Sequence, residues 1–318
     1  MEFVLPSLLL AVGLVAVIKG GDWFVDGATG IARAFRIPAF VIGATIVSLA
    51  TTLPEIIVST VAAAGGSNDM AIGNAVGSVT ANTGLIMCLA FIFLGATVDR
   101  RQYWLQCTLL IAAAALLVVG SIGGQLSLWA TVLLLVIFLS FMTLNLLRGK
   151  RESSLARQEE NAAPVEKKEL IKCILLFLLG AAVVVVGSRL LVDNGTTLAT
   201  LLGVPERVIA VTLVAIGTSL PELVTTLTAI RKKESNLSIG NIVGANIIDL
   251  TLILPLCSLI SGKPIPISPD CFRLDLPVCL GVLVLALVPL MIRQKAGKIQ
   301  GFLPLAAYIA YLIVTVVL

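Results

Sequence analysis

Long apolar runs alternate with short polar connections along the whole chain. A helix needs about 20 apolar residues to cross a bilayer, and the pattern predicts ten such helices. They fall roughly at 3–20, 37–64, 71–95, 103–120, 126–147, 170–190, 205–230, 238–261, 274–292 and 301–318. The chain is therefore predicted to be an all-α integral membrane protein.

The charges of the connecting segments indicate the orientation of these spans. With ten spans the segments alternate between two sides, and one side collects most of the Lys and Arg residues, including the cluster from Arg148 to Lys172. The other side holds only Arg189, Arg207, Lys263 and Arg273. Because the basic side is normally cytoplasmic, we expect a multi-pass protein of the inner (plasma) membrane with both termini outside and the loop 148–169 inside.

Composition agrees with a membrane location. Hydrophobic residues make up 58% of the chain and charged residues 13%, whereas a soluble domain is roughly 25% charged. The six cysteines are scattered without a C-x-x-C pair, so they are interpreted as small apolar side chains rather than metal ligands. The net charge of +4 reflects the cytoplasmic loops; it indicates no nucleic-acid partner, and no obligate protein partner is evident beside the lipid bilayer.

The chain contains an internal repeat. An offset of 167 positions aligns its two halves without a gap from Gly13 to Asn82, matching TTLPE (51–55) with TSLPE (218–222) and GNAVGSVTAN (73–82) with GNIVGANIID (240–249). This predicts two five-helix repeats joined by a solvated linker, with boundaries at 1–147, 148–169 and 170–318. Since five is an odd number, the second copy is inverted, which is typical of secondary transporters with a substrate site at the midplane.

The first matched motif places a carboxylate inside each apolar run. An ionisable side chain at mid-bilayer costs at least about 2.5 kcal/mol and is a functional candidate. Thr51 and Thr52 precede Glu55 by four and three residues, so the three share one helix face. Thr218, Ser219 and Glu222 repeat this arrangement.

The proline of each motif adds main-chain oxygens. Pro54 and Pro221 have no N–H, so the carbonyls of Ala50 and Gly217 lose their helical donors. The predicted result is a cluster of carboxylate, hydroxyl and carbonyl oxygens. The chain has no histidine, and oxygen-only sites suit hard cations such as Ca²⁺. Two carboxylates match one Ca²⁺ in charge, or two or more Na⁺, and competition for one pocket is a route to antiport.

The second motif supplies helix contacts and flanking ligands. Its G-x-x-x-G spacing lets helices approach closely, through Gly73, Gly77, Gly240 and Gly244. Ser78 and Asn82 follow in the first copy where Ala245 and Asp249 follow in the second. We expect Asn74 and Asn241 to form interhelical hydrogen bonds.

Other matched residues outside the two motifs are interpreted structurally. Asp26 and Asp193 are expected to tie helix ends to neighbours. The small residues spaced seven apart in spans one and six are expected to allow close packing; they are Gly13, Gly20, Gly180 and Gly187.

Together the paired motifs GATIVSLATTLPE with GNAVGSVTAN, and AVTLVAIGTSLPE with GNIVGANIID, resemble the α-repeats of the sodium/calcium exchangers, a branch of the cation/Ca²⁺ exchanger superfamily. The chain resembles a prokaryotic member over nearly its whole length. The resemblance implies a Na⁺/Ca²⁺ antiporter, not an enzyme, that transports its ions without a cofactor. It also implies that spans one and six slide across the remaining helices to alternate access.

The resemblance also implies roles for individual residues. Ca²⁺ would be bound by Glu55 and Glu222 with the main-chain carbonyls of Thr51 and Thr218. Na⁺ would use the same glutamates, and Asn82 and Asp249 would line the middle position. The further sodium ligands would be the side chains of Thr52, Ser78 and Ser219 and the carbonyls of Ser48 and Ala215. Two residues depart from the family pattern: Thr52 replaces a frequent Ser and keeps the hydroxyl, whereas Ala245 removes one.

Several alternatives stay open. The coupling ion can be H⁺ instead of Na⁺, although Asn82 does not match the acid-richer motif of proton-coupled relatives. Asp249 leaves K⁺ co-transport open. From other classes, a passive cation channel can use the same oxygens, and an intramembrane hydrolase can use Glu55 and Glu222 as an acid–base pair, but the absence of histidine excludes a Ser–His dyad or an H-E-x-x-H zinc site.

Overall fold

Helices account for most of the computed structural model, which describes residues 2–94, 96–97, 100–159, 167–203 and 215–317. The helices are α1 (Val4–Phe35), α2 (Ala39–Thr51), α3 (Leu53–Ala64), α4 (Asn68–Ala81, continued as Asn82–Met87 and Cys88–Leu94), α5 (Arg100–Gly120), α6 (Leu128–Glu159), α7 (Lys167–Leu201), α8 (Ala215–Thr218), α9 (Leu220–Arg231), α10 (Ser235–Ile248, continued as Asp249–Ile253 and Leu254–Ser261), α11 (Cys271–Asp275, continued as Leu276–Arg293) and α12 (Lys298–Val317). Two short strands, β1 (Ala96–Thr97) and β2 (Lys295–Ala296), pair antiparallel. The predicted all-helical class is therefore correct, apart from this two-stranded pairing between two connecting segments.

The described helices include eight that are long and apolar enough to cross a membrane, and the bent pair α2–α3 forms a ninth. The seventh predicted span, 205–230, lies partly outside the described residues, which omit 204–214; its described part consists of α8 and α9. Ten spans and an inverted second half therefore stay predictions.

Three predicted boundaries differ from the structure. Spans one and six were expected to end near residues 20 and 190, but α1 continues to Phe35 and α7 to Leu201. Hydropathy falls at polar residues such as Asp22, yet nothing there breaks a helix; α1 ends only where Arg36 adopts a left-handed φ of 54°. The predicted linker 148–169 likewise begins as helix, because α6 continues through Glu159.

The long helices α1 and α7 pack backbone against backbone. A Cβ atom built on Gly20 would lie 2.9 Å from the main-chain nitrogen of Val184, and one on Gly180 would lie 2.7 Å from Cα of Phe24. The rings of Phe24 and Phe177 stack with centroids 4.7 Å apart. The predicted close packing of spans one and six is confirmed, because side chains at these glycines would clash.

The motif-bearing helices are the most enclosed. In the most apolar window of α10, 83% of the residues are buried, and in that of α4 72%, compared with 28% in α1. These helices cross between the two halves of the sequence: α10 packs on α2, and α4 contacts α8 and α9. A large apolar core continues from them into α5, α6 and α11, with Phe91, Tyr103, Leu134, Ile253 and Leu283 at its centre. The polar motifs therefore lie inside the protein rather than against lipid.

Candidate functional site

Both copies of the first motif interrupt a helix at the same place. Helices α2 and α3 meet at an angle of 46°, and the break falls at Thr52 (φ −81°, ψ −3°), two residues before Pro54. Ser219 (φ −86°, ψ 9°) precedes Pro221 in the same way. Since a proline cannot donate to the preceding turn, each motif ends one helix and starts another. Main-chain groups at such breaks are available to ions.

The carboxylates of the site are fully enclosed. Glu55 and Glu222 lie in the first turns of α3 and α9, and together with Asp249 each is 1% exposed. Among the described residues, both oxygens of Glu55 and of Asp249 and one of Glu222 have no hydrogen-bond partner. Thr52, three residues before Glu55, contacts Glu222, so the two glutamate motifs meet at one site.

Within the described ranges no ion pair joins these acids to a basic side chain; the pairs of Asp22 and Asp26 with Arg231 and Lys232 involve α1 instead. A buried charge without a partner costs several kcal/mol. The cluster must therefore be matched by bound cations or by protons.

Two hydroxyl groups of the first motif connect the two halves of the sequence. Thr52 donates from Oγ1 to Oε1 of Glu222 over 3.4 Å, and Thr51 donates to Oδ1 of Asn241 over 3.2 Å. Ser48 donates to the carbonyl of Thr45 over 3.0 Å. The remaining predicted hydroxyls, Ser78 and Ser219, are 3% and 1% exposed. Thr51 and Thr52 of the first repeat therefore contact Asn241 and Glu222 of the second repeat.

The two middle-position residues share an unusual backbone setting. Asn82 and Asp249 are each the first residue of a π-helical segment, Asn82–Met87 and Asp249–Ile253. Such segments often occur at functional sites because they displace a helix from its regular hydrogen-bond ladder. The sequence did not predict these segments. The only signal was a matched polar residue in an apolar run.

The structure describes the second copy of the first motif less completely. Thr218 is half-buried at the end of α8, and only the backbone of Ala215 lies within the described residues. Thr218, Pro54 and Pro221 line a cavity of about 120 Å³ with Ser188 and Asp193 of α7. The cavity is thus lined by both motif prolines and by side chains of α7.

The glycines of the second motif fall into two groups. A Cβ on Gly240 would lie 3.2 Å from the nitrogen of Ala44, and one on Gly244 would lie 2.5 Å from Oγ of Ser48; both therefore hold α10 against α2. No described atom lies within 4 Å of a Cβ on Gly73 or Gly77. Gly240 and Gly244 contact the segment 38–48, whose equivalent in the second repeat is 205–215. That equivalent segment lies almost wholly outside the described residues.

Asn74, Asn241 and Asp26 make the kinds of contact that we expected. Asn74 donates to Oγ of Ser59 over 2.9 Å and to the carbonyl of Glu55 over 3.3 Å, which joins α4 to α3. Asn241 joins α10 to α2. Asp26 pairs with Lys232 and thereby ties α1 to the end of α9.

Three further buried polar residues, Ser59, Thr83 and Asn246, were not predicted from the sequence. Asn246 donates to Oγ1 of Thr83 over 2.8 Å, from α10 to α4. Asn246 stands next to Ala245 in the second motif, which was its only signal. All three serve helix–helix contacts within the described structure.

The ligand chemistry of the site is that of oxygen. Among the described residues no group of three or more His, Cys, Asp or Glu side chains is arranged as a metal site, so a cation there needs hydroxyl, amide and carbonyl oxygens as well. The six cysteines are buried and unbridged. Such a ligand set suits Ca²⁺, which takes six to eight oxygens, and excludes a soft-metal site.

Comparison with known proteins points to one family. The model of the family described as sodium/calcium exchanger protein matches residues 5–147 and 172–317. The chain is 33% identical to the inner membrane protein YrbG of Escherichia coli, with 97% of this chain and 96% of the relative covered. It is 28% identical to the sodium/calcium exchanger MaX1 of Methanosarcina acetivorans, over 96% of this chain and 97% of the relative. A solved structure of the sodium-calcium exchanger NCX_Mj superimposes with a TM-score of 0.84 at 31% identity, covering 98% of both chains.

Proposed function

This chain belongs to the sodium/calcium exchanger protein family, and we propose that it is an antiporter that moves Ca²⁺ across the membrane in exchange for Na⁺. The family consists of membrane transporters rather than enzymes, so the hydrolase alternative has no support. Its ions are cargo, and no cofactor is proposed.

One observation carries the proposal: three fully buried acids contributed by both repeats, Glu55, Glu222 and Asp249, have no basic partner among the described residues. Ca²⁺ would neutralise Glu55 and Glu222, with the carbonyls of Thr51 and Thr218 as further ligands. Na⁺ ions would take the same glutamates. The additional sodium ligands would be Thr52, Ser78, Ser219, Asn82 and Asp249 with the carbonyls of Ser48 and Ala215. Since both ions need the same negative charge, neither binds fully while the other is present, which couples their movements.

We further propose that access to this site alternates between the two sides of the membrane. The repeat gives the two halves the same sequence pattern, and inverted halves build equivalent gates on opposite sides. The glycine-lined contact between α1 and α7 supports the movement of these two helices as one unit across the site. The loop charges and the inner-membrane name of the Escherichia coli relative support an inner-membrane location with both termini outside and the loop 148–169 inside.

The test is flux in reconstituted vesicles. Vesicles loaded with Na⁺ are diluted into Na⁺-free buffer that contains ⁴⁵Ca²⁺, and uptake is compared for wild type, Glu55→Gln and Glu222→Gln. We expect uptake against the Ca²⁺ gradient in wild type and a loss of about a hundredfold or more in each variant, because each removes a charged ligand worth about 3 kcal/mol. The exposed Glu169→Gln, in the first turn of α7, is the matched control and should leave uptake unchanged.

The same vesicles separate the remaining alternatives. Uptake driven by a pH gradient without Na⁺ would indicate H⁺ coupling, and uptake that requires K⁺ with Na⁺ would indicate co-transport. A passive channel does not raise the Ca²⁺ concentration inside the vesicles above the concentration outside. Uptake that ignores the Na⁺ gradient, or that survives in both glutamate variants, contradicts the proposal.

A further inference from the structure

A lateral groove lies between α2 and α6, away from the carboxylate cluster. Its volume is about 680 Å³. Apolar residues form most of its walls, among them Val41, Ile46 and Leu49 of α2 and Met142 and Leu146 of α6. Nothing in the proposed exchange reaction uses this groove.

The groove opens toward the hydrocarbon of the bilayer. Ile46, Leu49 and Leu146 on its walls are 45%, 38% and 58% exposed; α6 is long and apolar enough to span a membrane, and α2 is so together with α3. From Met142 to Ser154 its wall on α6 extends about 18 Å, at 1.5 Å per residue. That length is close to one leaflet, since the hydrocarbon core is about 30 Å thick.

The interior of the groove offers no unsatisfied polar group to a ligand. Thr45 on its wall donates to the carbonyl of Val41 over 2.7 Å. Asn145 donates to the carbonyl of Phe141 and accepts a hydrogen bond from Gln106 over 2.6 Å. An occupant of this part of the groove therefore needs to be apolar, and a polar metabolite would lose its hydration without compensation.

One end of the groove is polar and basic. Lys150, Ser153 and Ser154 line it there, and Lys150 forms no ion pair with any described residue. Glu152 lines a different pocket, together with Arg33 and Arg36. The chain thus presents an ammonium and two hydroxyls at one end of an otherwise apolar groove.

We propose that this groove binds one anionic phospholipid of the cytoplasmic leaflet, with an acyl chain between α2 and α6 and the phosphate at Lys150. The apolar interior matches the acyl chain of the lipid, and the length of the groove wall on α6 matches the length of that acyl chain. The lysine matches the negative charge of the phosphate. The bound lipid braces α2, whose last residues, Thr51 and the adjacent Thr52, belong to the carboxylate site.

Lipid retention tests the proposal without reference to transport. The purified protein is equilibrated with equal amounts of phosphatidylglycerol and phosphatidylcholine, and bound lipids are counted by native mass spectrometry. We expect wild type to retain phosphatidylglycerol preferentially. Lys150→Gln should lower this preference about fivefold, since one basic residue near the surface contributes about 1 kcal/mol. Lys168→Gln, an exposed lysine outside the groove, is the matched control and should keep the wild-type ratio.

A filling variant tests the acyl-chain part separately. Gly149 lines the groove, and the Cβ of a residue there would lie 3.5 Å from Cγ2 of Ile37, an ordinary contact distance, so Gly149→Leu adds side-chain volume to the groove. We expect it to lose the retained lipid altogether, and Leu146→Trp, on the exposed wall, to do the same. Wild-type retention in both filling variants, or an undiminished preference in Lys150→Gln, overturns the proposal.

Discussion

Glu55 and Glu222 occupy equivalent positions of the repeat, yet the groups around them differ. Glu222 accepts a hydrogen bond from Thr52 of the opposite half, whereas neither oxygen of Glu55 has a partner among the described residues. Asn82 in the first copy corresponds to Asp249 in the second, and Ser78 corresponds to Ala245. The second copy therefore contributes two acids where the first contributes one, and it contributes one hydroxyl fewer than the first.

The difference separates what duplication fixes from what it leaves free. The helix breaks at Thr52 and Ser219 and the π-helical starts at Asn82 and Asp249 are shared by both copies, so the backbone frame follows the repeat. The charged and hydroxyl side chains on that backbone frame differ between the two copies. A symmetric frame with unequal ligands offers cation positions of unequal strength, and the following substitutions make the copies more alike or less alike.

The largest effect is expected from Asp249→Asn, which gives the second copy the amide of the first. It removes a buried negative charge that acts on Glu55. At an effective dielectric constant of 20, any two unit charges about 8 Å apart interact by about 2 kcal/mol, which sets the scale of the effect. The Na⁺ concentration for half-maximal Ca²⁺ exchange should therefore rise about tenfold or more. An unchanged value would show that the asymmetry in charge does not affect Na⁺ binding; Asn82→Asp is the reciprocal variant and should shift that concentration downward.

A smaller effect is expected where the hydroxyls differ in their contacts. Thr52→Val removes the hydrogen bond to Glu222, and hydrogen bonds to charged groups contribute about 1.5 kcal/mol or more, so the Ca²⁺ concentration for half-maximal uptake should rise about tenfold. Ser219→Ala removes a hydroxyl with no described partner and should change the Ca²⁺ concentration for half-maximal uptake about twofold at most. Thr52→Ser should restore wild-type uptake. Equal losses in Thr52→Val and Ser219→Ala would contradict the difference between the copies.

The smallest effect is expected from Ala245→Ser, which gives the second copy the hydroxyl of the first. Ala245 is fully buried, and one added neutral ligand contributes about 0.5 kcal/mol. The apparent Na⁺ affinity should improve about two- to threefold, or the Hill slope of the Na⁺ dependence should steepen. If neither quantity changes in the flux assay, the missing hydroxyl has no part in Na⁺ binding.

The sequence was informative where one residue type has one strong consequence. Pro54 and Pro221 correctly indicated where the helices break, because no other residue removes a main-chain donor. The glycines of α1 and α7 correctly indicated a close contact, because only residues without a Cβ allow it. Apolar length gave the membrane class and most spans.

Other features depend on contacts between distant segments and could not be predicted. The bond from Thr52 to Glu222 and that from Asn246 to Thr83 join residues more than 160 positions apart, and no local pattern specifies such pairs. The extension of α1 to Phe35 was missed because hydropathy marks the edge of the bilayer rather than the end of a helix. Asp22 and Asp26 are tolerated there because Arg231 and Lys232 pair with them.

The seam between α1 and α7 also constrains how this gene can vary. Every glycine codon begins with two guanines, and any change at either of those positions encodes a residue with a side chain or a stop. At Gly20, Gly27 and Gly180 even a methyl group would overlap the facing backbone. Neutral drift at these codons is therefore confined to the third base, and a survey of random nucleotide substitutions should find inactive variants concentrated along this contact.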